Sequence, residues 1–266
     1  PLWTAKHFLN TFGAVREHNY DIALDLQGSW KTVIFLWAAR ARRRYVKGRW
    51  WFAQRFHRPQ LHAIAEMDGV LRLCGIEPRQ HSPVLHALAT DNQAIDERLD
   101  RLGVRGRRIA VFCPLTRWPT KNWPLSEFVD LVKKLPEDFF VIFTGTASEQ
   151  ALISEALTRL APTRAASFAG CLSLPEYFAL VSIAQLVVTG DSLPMHVASA
   201  YNRPLVALFG PTDESRVAPR SEGSVVVRAD TDCHRCYRRS YCPRSCIGRI
   251  TVAQVAQAID EVLGAH

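Results

Sequence analysis

Three polar residues stand close together in the stretch VVTGDSLPMHVASAYNRPLVALFGP (187–211): Asp191, Ser192 and His196. An apolar run ends at Val188, Gly190-Asp191-Ser192 makes a turn, and Pro194 suits the first turn of a helix. A helix N-terminus offers free N–H groups and the positive end of a dipole, which together favour a phosphate. Asp191 adds an acceptor for hydroxyl or amide hydrogens, and His196 falls near the same helix end. The same residues also suit an ordinary strand-to-helix connection with Asp191 or Ser192 as N-cap. A second group, Thr116 and Lys121 in CPLTRWPTKNWP (113–124), combines a hydroxyl donor with a point charge suited to a diphosphate. It lacks the glycines and the Gly-Lys-Ser/Thr ending of a Walker loop. Glu149, with Ser148 as a predicted helix cap, is placed to meet a helix dipole or a ribose hydroxyl. Leu172 and Leu174 are candidates to wall an aromatic base or simply to fill core.

These residues need elements to hold them. Beyond a Gly- and Arg-rich break at 102–108, short apolar runs alternate with helical patterns. Strands are predicted at 109–112, 139–143, 165–168, 186–189, 205–209 and 225–227, with helices at 125–135, 148–160, 175–183 and 194–201. That alternation implies a parallel sheet covered on both faces, with ligands outside the carboxyl ends of its strands. Thr116, Lys121, Glu149, Leu172 and Asp191 all follow such ends. In the first part of the chain, helices are predicted at 2–17, 32–43, 61–74 and 91–102, with a strand at 21–26 and a turn at Gln27-Gly28. The expected domains are 1–103 and 104–266.

The chain has 266 residues, 48% of them hydrophobic, enough for two cores. A net charge of +8 and a pI near 9.4 favour an anionic partner, whether nucleic acid, acidic lipid or phosphorylated small molecule. No apolar run approaches the roughly 18 residues that span a bilayer, and no leader is visible, so a cytoplasmic location is expected. Arg40, Arg42, Arg43, Arg44, Lys47, Arg49, Arg55 and Arg58 form an acid-free strip interleaved with Tyr45, Trp50, Trp51 and Phe52. Such a strip suits RNA, anionic head groups or plain solvent. Of the seven cysteines, Cys74, Cys113 and Cys171 read as buried apolar positions. Cys233, Cys236, Cys242 and Cys246 follow C-x2-C-x5-C-x3-C, which suits a structural zinc site, disulfides or free thiols. Asp230-Thr-Asp232 matches an Asp-x-Asp metal pattern but reads as loop.

Taken together, Trp118-Pro-Thr-Lys-Asn-Trp-Pro, Asp191-Ser-Leu-Pro-Met-His, Ala207-Leu-Phe-Gly-Pro-Thr-Asp and Asp25-Leu-Gln-Gly with Lys31 resemble glycosyltransferase family 9, the lipopolysaccharide heptosyltransferases. The resemblance implies an α/β fold of GT-B type, two Rossmann-like domains with parallel sheets, the N-terminal one incomplete. It implies inverting, metal-independent transfer of heptose from ADP-heptose to an anionic lipopolysaccharide core, with no cofactor and no nucleic acid. A peripheral contact with the inner membrane follows as an expectation. Thr116 and Lys121 would then hold the donor phosphates, and Asp191, Ser192, Leu193 and His196 would line the diphosphate and sugar. Glu149 would bind ribose and Leu172 adenine. Gln27, Gly28 and Lys31 would face the acceptor, and Arg42 is assigned to it from the charge of its strip alone. Leu193 stands where the family most often has Gly. The family's catalytic aspartate is expected upstream of residue 1, which would leave this stretch better at binding donor than at turning it over. The competing readings are a basic, zinc-stabilised nucleic-acid-binding protein and a transferase for another nucleotide-sugar.

Overall fold

The computed structural model describes residues 5–79, 83–229, 231, 233 and 235–264. The chain divides into two compact units, 1–81 and 82–266. In the first, helix α1 (Ala5–Glu17) leads into strand β1 (Asn19–Asp25), followed by α2 (Trp30–Ala38), β2 (Arg40–Lys47), β3 (Gln54–Phe56) and α3 (Ala63–Leu73). The three strands pair in parallel in the order β1-β2-β3.

The basic strip is thus largely a strand and not the end of a helix. Helix α2 stops at Ala38, and the arginines that follow alternate with Ala41, Tyr45 and Val46, which are buried. Val46 packs on Val33 and Leu36 of α2. Arg44 turns back to donate to the carbonyls of Ala39 (2.6 Å) and Leu36 (3.2 Å), closing the C-terminus of α2. Lys47 and His57 lie 3.7 and 3.6 Å from the carboxylate of buried Glu66 on α3. Trp50 donates its indole N–H to the Gly28 carbonyl at 3.0 Å, and Phe52 packs on the core. Of the interleaved aromatics only Trp51 is well exposed, at 84%.

The second unit begins with α4 (Ala89–Arg101) and alternates regularly: β4 (Arg108–Cys113), α5 (Leu125–Val132), β5 (Phe139–Phe143), α6 (Gln150–Leu157), β6 (Ala165–Ser167), α7 (Leu174–Ser182), β7 (Leu186–Gly190), α8 (Leu193–Ala200), β8 (Leu205–Phe209), α9 (Glu214–Val217), β9 (Ser224–Arg228) and α10 (Val252–Gly264). All six strands are parallel in the order β6-β5-β4-β7-β8-β9. Chain direction along the sheet reverses between β4 and β7, the switch point of a doubly wound fold. Ala110 and Phe112 face the core under α5, α6 and α10, while Ile109, Val111 and Cys113 face α4, α7 and α8. Burial on both faces is why these strands read as continuous apolar runs.

The units meet at 81/82 and not at 103/104. Helix α4, assigned to the first domain from sequence, inserts Ile95 and Leu99 into the second unit's core. Its Arg98 lies 3.0 Å from Glu176 on α7. The Gly103 and Gly106 break, with φ of 67° and 84°, is a turn inside the second unit. No helix among the described residues is long and apolar enough to cross a membrane.

Candidate functional site

Three loops converge beyond the carboxyl ends of β4, β7 and β8, and two glycines allow them to touch. A Cβ on Gly190 would lie 2.9 Å from the Lys121 carbonyl and 3.4 Å from Thr116 Cγ2. One on Gly210 would lie 3.0 Å from Ile247 Cβ and 3.2 Å from the Thr120 carbonyl. The loop after β4 is held at its far end by Trp123, buried, which donates to the Ile250 carbonyl at 2.8 Å. Within it the Thr116 amide donates to Asn122 Oδ1 (2.8 Å) and the Thr116 hydroxyl donates to the Trp118 carbonyl (3.0 Å). The residues Pro119–Lys121 form one 3₁₀ turn that brings the Lys121 stem toward β7.

Lys121 Nζ lies 2.6 Å from Asp191 Oδ2 and also donates to the Asp191 carbonyl at 3.2 Å. Asp191 is 7% exposed, so the pair sits in a setting where a charge-assisted bond is strong. No side chain caps α8, although Ser192 occupies the N-cap position. Its hydroxyl makes only long contacts, to the Gly190 carbonyl (3.4 Å) and Thr189 Oγ1 (3.5 Å). Pro194 brings no N–H, and the Met195 amide donates to the Ser192 carbonyl at 3.1 Å. The anion-attracting end of α8 is therefore narrower than the sequence suggested, and Lys121 is its main cation. Burial of the ring lowers the His196 pKa from its ordinary value; Asp191 opposes that shift and Lys121 adds to it.

Beside this pair lies a cavity of about 850 Å³. Thr116, Glu149, Leu172, Ser192 and Leu193 line it; Lys121, Asp191 and His196 do not. Leu193 stands at its edge, 52% exposed. Ser148 is not the cap of the helix that follows β5: Glu149 holds the N-cap position of α6, and Thr146 caps the 3₁₀ turn Ala147–Glu149 before it, its amide donating to Glu149 Oε2 at 2.6 Å. One carboxylate oxygen of Glu149 is thereby engaged in its own turn. Sequence reasoning missed Arg117, Thr144, Phe168 and Tyr177, which also line the cavity. Arg117 and Thr144 were detectable as residues following strand ends; Phe168 and Tyr177 look like core. Cys113, itself buried, lines the cavity, 3.1 Å from Thr144 Oγ1 and 3.5 Å from Tyr177 Oη. Burial pushes its thiol up to about 11, which makes it an unreactive packing group. Cys74 is only half-buried and Cys171 is exposed, contrary to the expectation of three buried thiols.

In the first unit Gln27 and Lys31 line a separate cavity of about 820 Å³ with Phe8, Leu9, Trp30 and Phe35. Gly28 (φ 67°) serves the fold: a Cβ there would collide with the Lys47 carbonyl at 1.9 Å. Arg42 projects into solvent with a loose 3.7 Å contact to Asp21. Within the cysteine cluster Cys236 is exposed and Cys246 buried, with Cys233 and Cys242 half-buried. Among the described residues no three His, Cys, Asp or Glu side chains gather for a metal, so nothing in this segment adds support to the zinc centre weighed from its spacing. Asp230 and Asp232 lie outside the described residues, as does His234.

A model of glycosyltransferase family 9 (heptosyltransferase) matches residues 9–245. Lipopolysaccharide heptosyltransferase 2 of Escherichia coli K12 is 36% identical over 129 residues, covering 47% of this chain and 37% of that protein. The chain thus covers well under two thirds of that relative's length. Among solved structures, a family 9 glycosyl transferase from Veillonella parvula superposes with a TM-score of 0.82 at 18% identity, over 100% of this chain and 81% of that one. The E. coli ADP-heptose lps heptosyltransferase II gives 0.71 at 22% identity, over 98% and 80%. At such identities the likeness establishes the fold, an α/β fold of GT-B type.

Proposed function

This chain belongs to glycosyltransferase family 9, and from that premise we propose that it serves the transfer of heptose from ADP-heptose to a lipopolysaccharide core at the cytoplasmic face of the inner membrane. The observation that carries the reading is the Lys121–Asp191 pair at the β4/β7 switch point, beside a cavity walled by Phe168, Leu172 and Tyr177. A nucleoside diphosphate has the matching anatomy: a flat aromatic base, a ribose and a concentrated negative charge. Leu172 and Phe168 take the base, and the oxygen of Glu149 not used in its turn takes a ribose hydroxyl. Lys121, Thr116 and Ser192 take the phosphates, with Asp191 orienting Lys121 and His196 bordering the sugar.

As the sugar–phosphate bond breaks, negative charge grows on the departing diphosphate. Lys121 is a fixed cation at that place, and an interaction that strengthens with developing charge lowers the barrier. Asp191 already faces Lys121, so it acts in binding and orientation and not as the base. Gln27, Lys31 and Arg42 of the first unit are assigned to the anionic acceptor. Of the aromatics of the basic strip only Trp51 is well exposed, the others being buried or engaged, which supports an anionic acceptor over stacked single-stranded RNA. Calorimetric titration with ADP-heptose, ADP, UDP and GDP tests the donor. Single-site binding confined to the adenine nucleotides is expected; equal affinity for UDP would assign a different donor, and no nucleotide binding at all would refute the site.

A further inference from the structure

The cysteine-rich segment reaches the proposed phosphate loop at two points. The Thr120 hydroxyl donates to the Arg238 carbonyl. The Arg239 guanidinium carbon lies 4.6 Å from the centroid of the Trp118 ring, and Lys121 Nζ lies 4.3 Å from the same centroid. One indole thus carries both the cation that meets Asp191 and a cation from a segment far along the chain. Tryptophan is the strongest aromatic partner for a cation. An arginine resting on it restricts the ring and so restricts the lysine that shares it. Arg239 is exposed; its carbonyl also accepts from the Thr120 hydroxyl at 3.3 Å, but the contact described for its side chain is this one, on the surface and outside the core.

We propose that Arg239 is a positioning residue for the donor site: through Trp118 it fixes Lys121 in the place where a nucleoside diphosphate is held. The proposal rests on the donor reading above and adds to it a function for the 233–246 segment, that of a brace on the phosphate loop.

ADP titration of Arg239→Gln, Arg239→Lys, Trp118→Leu and the Arg239→Gln/Trp118→Leu double variant tests this, with Lys121→Ala alongside. Arg239→Gln and Trp118→Leu should each raise Kd about two- to fivefold, the size of an exposed cation–π contact. The double variant should be no weaker than the worse single, because both act through one ring. Arg239→Lys should keep most of the affinity, and the melting temperature of Arg239→Gln should equal the wild type's. Unchanged affinity in Arg239→Gln, effects that multiply in the double variant, or Arg239→Lys as weak as Arg239→Gln would each overturn the proposal. If Lys121→Ala itself binds ADP normally, the donor reading fails first and the brace has nothing to position.

Discussion

Two aspartates at the ends of parallel strands, Asp25 in the first unit and Asp191 in the second, are each 7% exposed. They are used in opposite ways. Asp25 Oδ1 accepts the amides of Gln27 and Gly28 (both 2.9 Å), and its Oδ2 accepts the Thr32 hydroxyl (2.9 Å). Every partner lies within its own turn, so the carboxylate is saturated and builds the chain reversal into α2. Asp191 sends its carboxylate to Lys121 on a different loop. Burial alone would rank the two aspartates equally as functional candidates. What separates them is whether the partner is local, which makes a turn, or distant, which assembles a site.

That contrast can be broken most forcefully at Gly28. Gly28→Ala forces a Cβ into the Lys47 carbonyl at a positive φ and should cost about 3 kcal/mol or more. Thermal or urea unfolding should show the loss while ADP affinity is retained. Asp25→Ala removes three hydrogen bonds to a buried carboxylate and should cost about 2–4 kcal/mol by the same measurement, again without changing ADP affinity. Weakened ADP binding in either variant with stability intact would collapse the distinction. Lys121→Ala should behave in the reverse sense. It loses a charge-assisted phosphate contact, about 1.5–3 kcal/mol, or roughly ten- to 150-fold in ADP Kd by calorimetry.

A smaller effect sharpens the local side of the contrast. The Glu176 carboxylate accepts the Ser173 amide at 2.7 Å and pairs with Arg98. The Ser173 amide above all, then Arg98, lowers its pKa from 4.5 to about 2. A depressed carboxyl pKa stabilises the fold fully above pH 4.5, and that contribution is lost as pH falls from there through about 2. Glu176→Gln should therefore melt with less pH dependence across this window, while binding ADP normally at neutral pH. The smallest expected change is Leu193→Gly, which removes a half-exposed side chain at the cavity edge. Up to about a twofold change in ADP affinity is expected, within the range of a lightly buried surface contact.

The strands of the second unit were legible because both faces of a parallel sheet are buried, which leaves apolar runs such as Phe139–Phe143 and Leu205–Phe209 unbroken. Residues following those runs could then be nominated, and Thr116, Glu149, Leu172, Ser192 and Leu193 do share one cavity. Strand β2 was misread because arginine stems occupy positions where strands usually show apolar or neutral residues; only Ala41, Tyr45 and Val46 reveal its burial. Helix α4 has a clear amphipathic pattern, but a pattern identifies a buried face and not the core that receives it. The joining of Trp118 to Arg239 was invisible for a different reason: neither residue lies in a periodic element, and only the tertiary fold brings them together.

The most direct measurement is a crystal structure of the protein with ADP bound. The expected result places the diphosphate within about 3 Å of Lys121 Nζ, the distance of a charge-assisted bond, with the adenine against Leu172 and Phe168. ADP seated elsewhere, with Lys121 still directed only at Asp191, would contradict the assignment of this site.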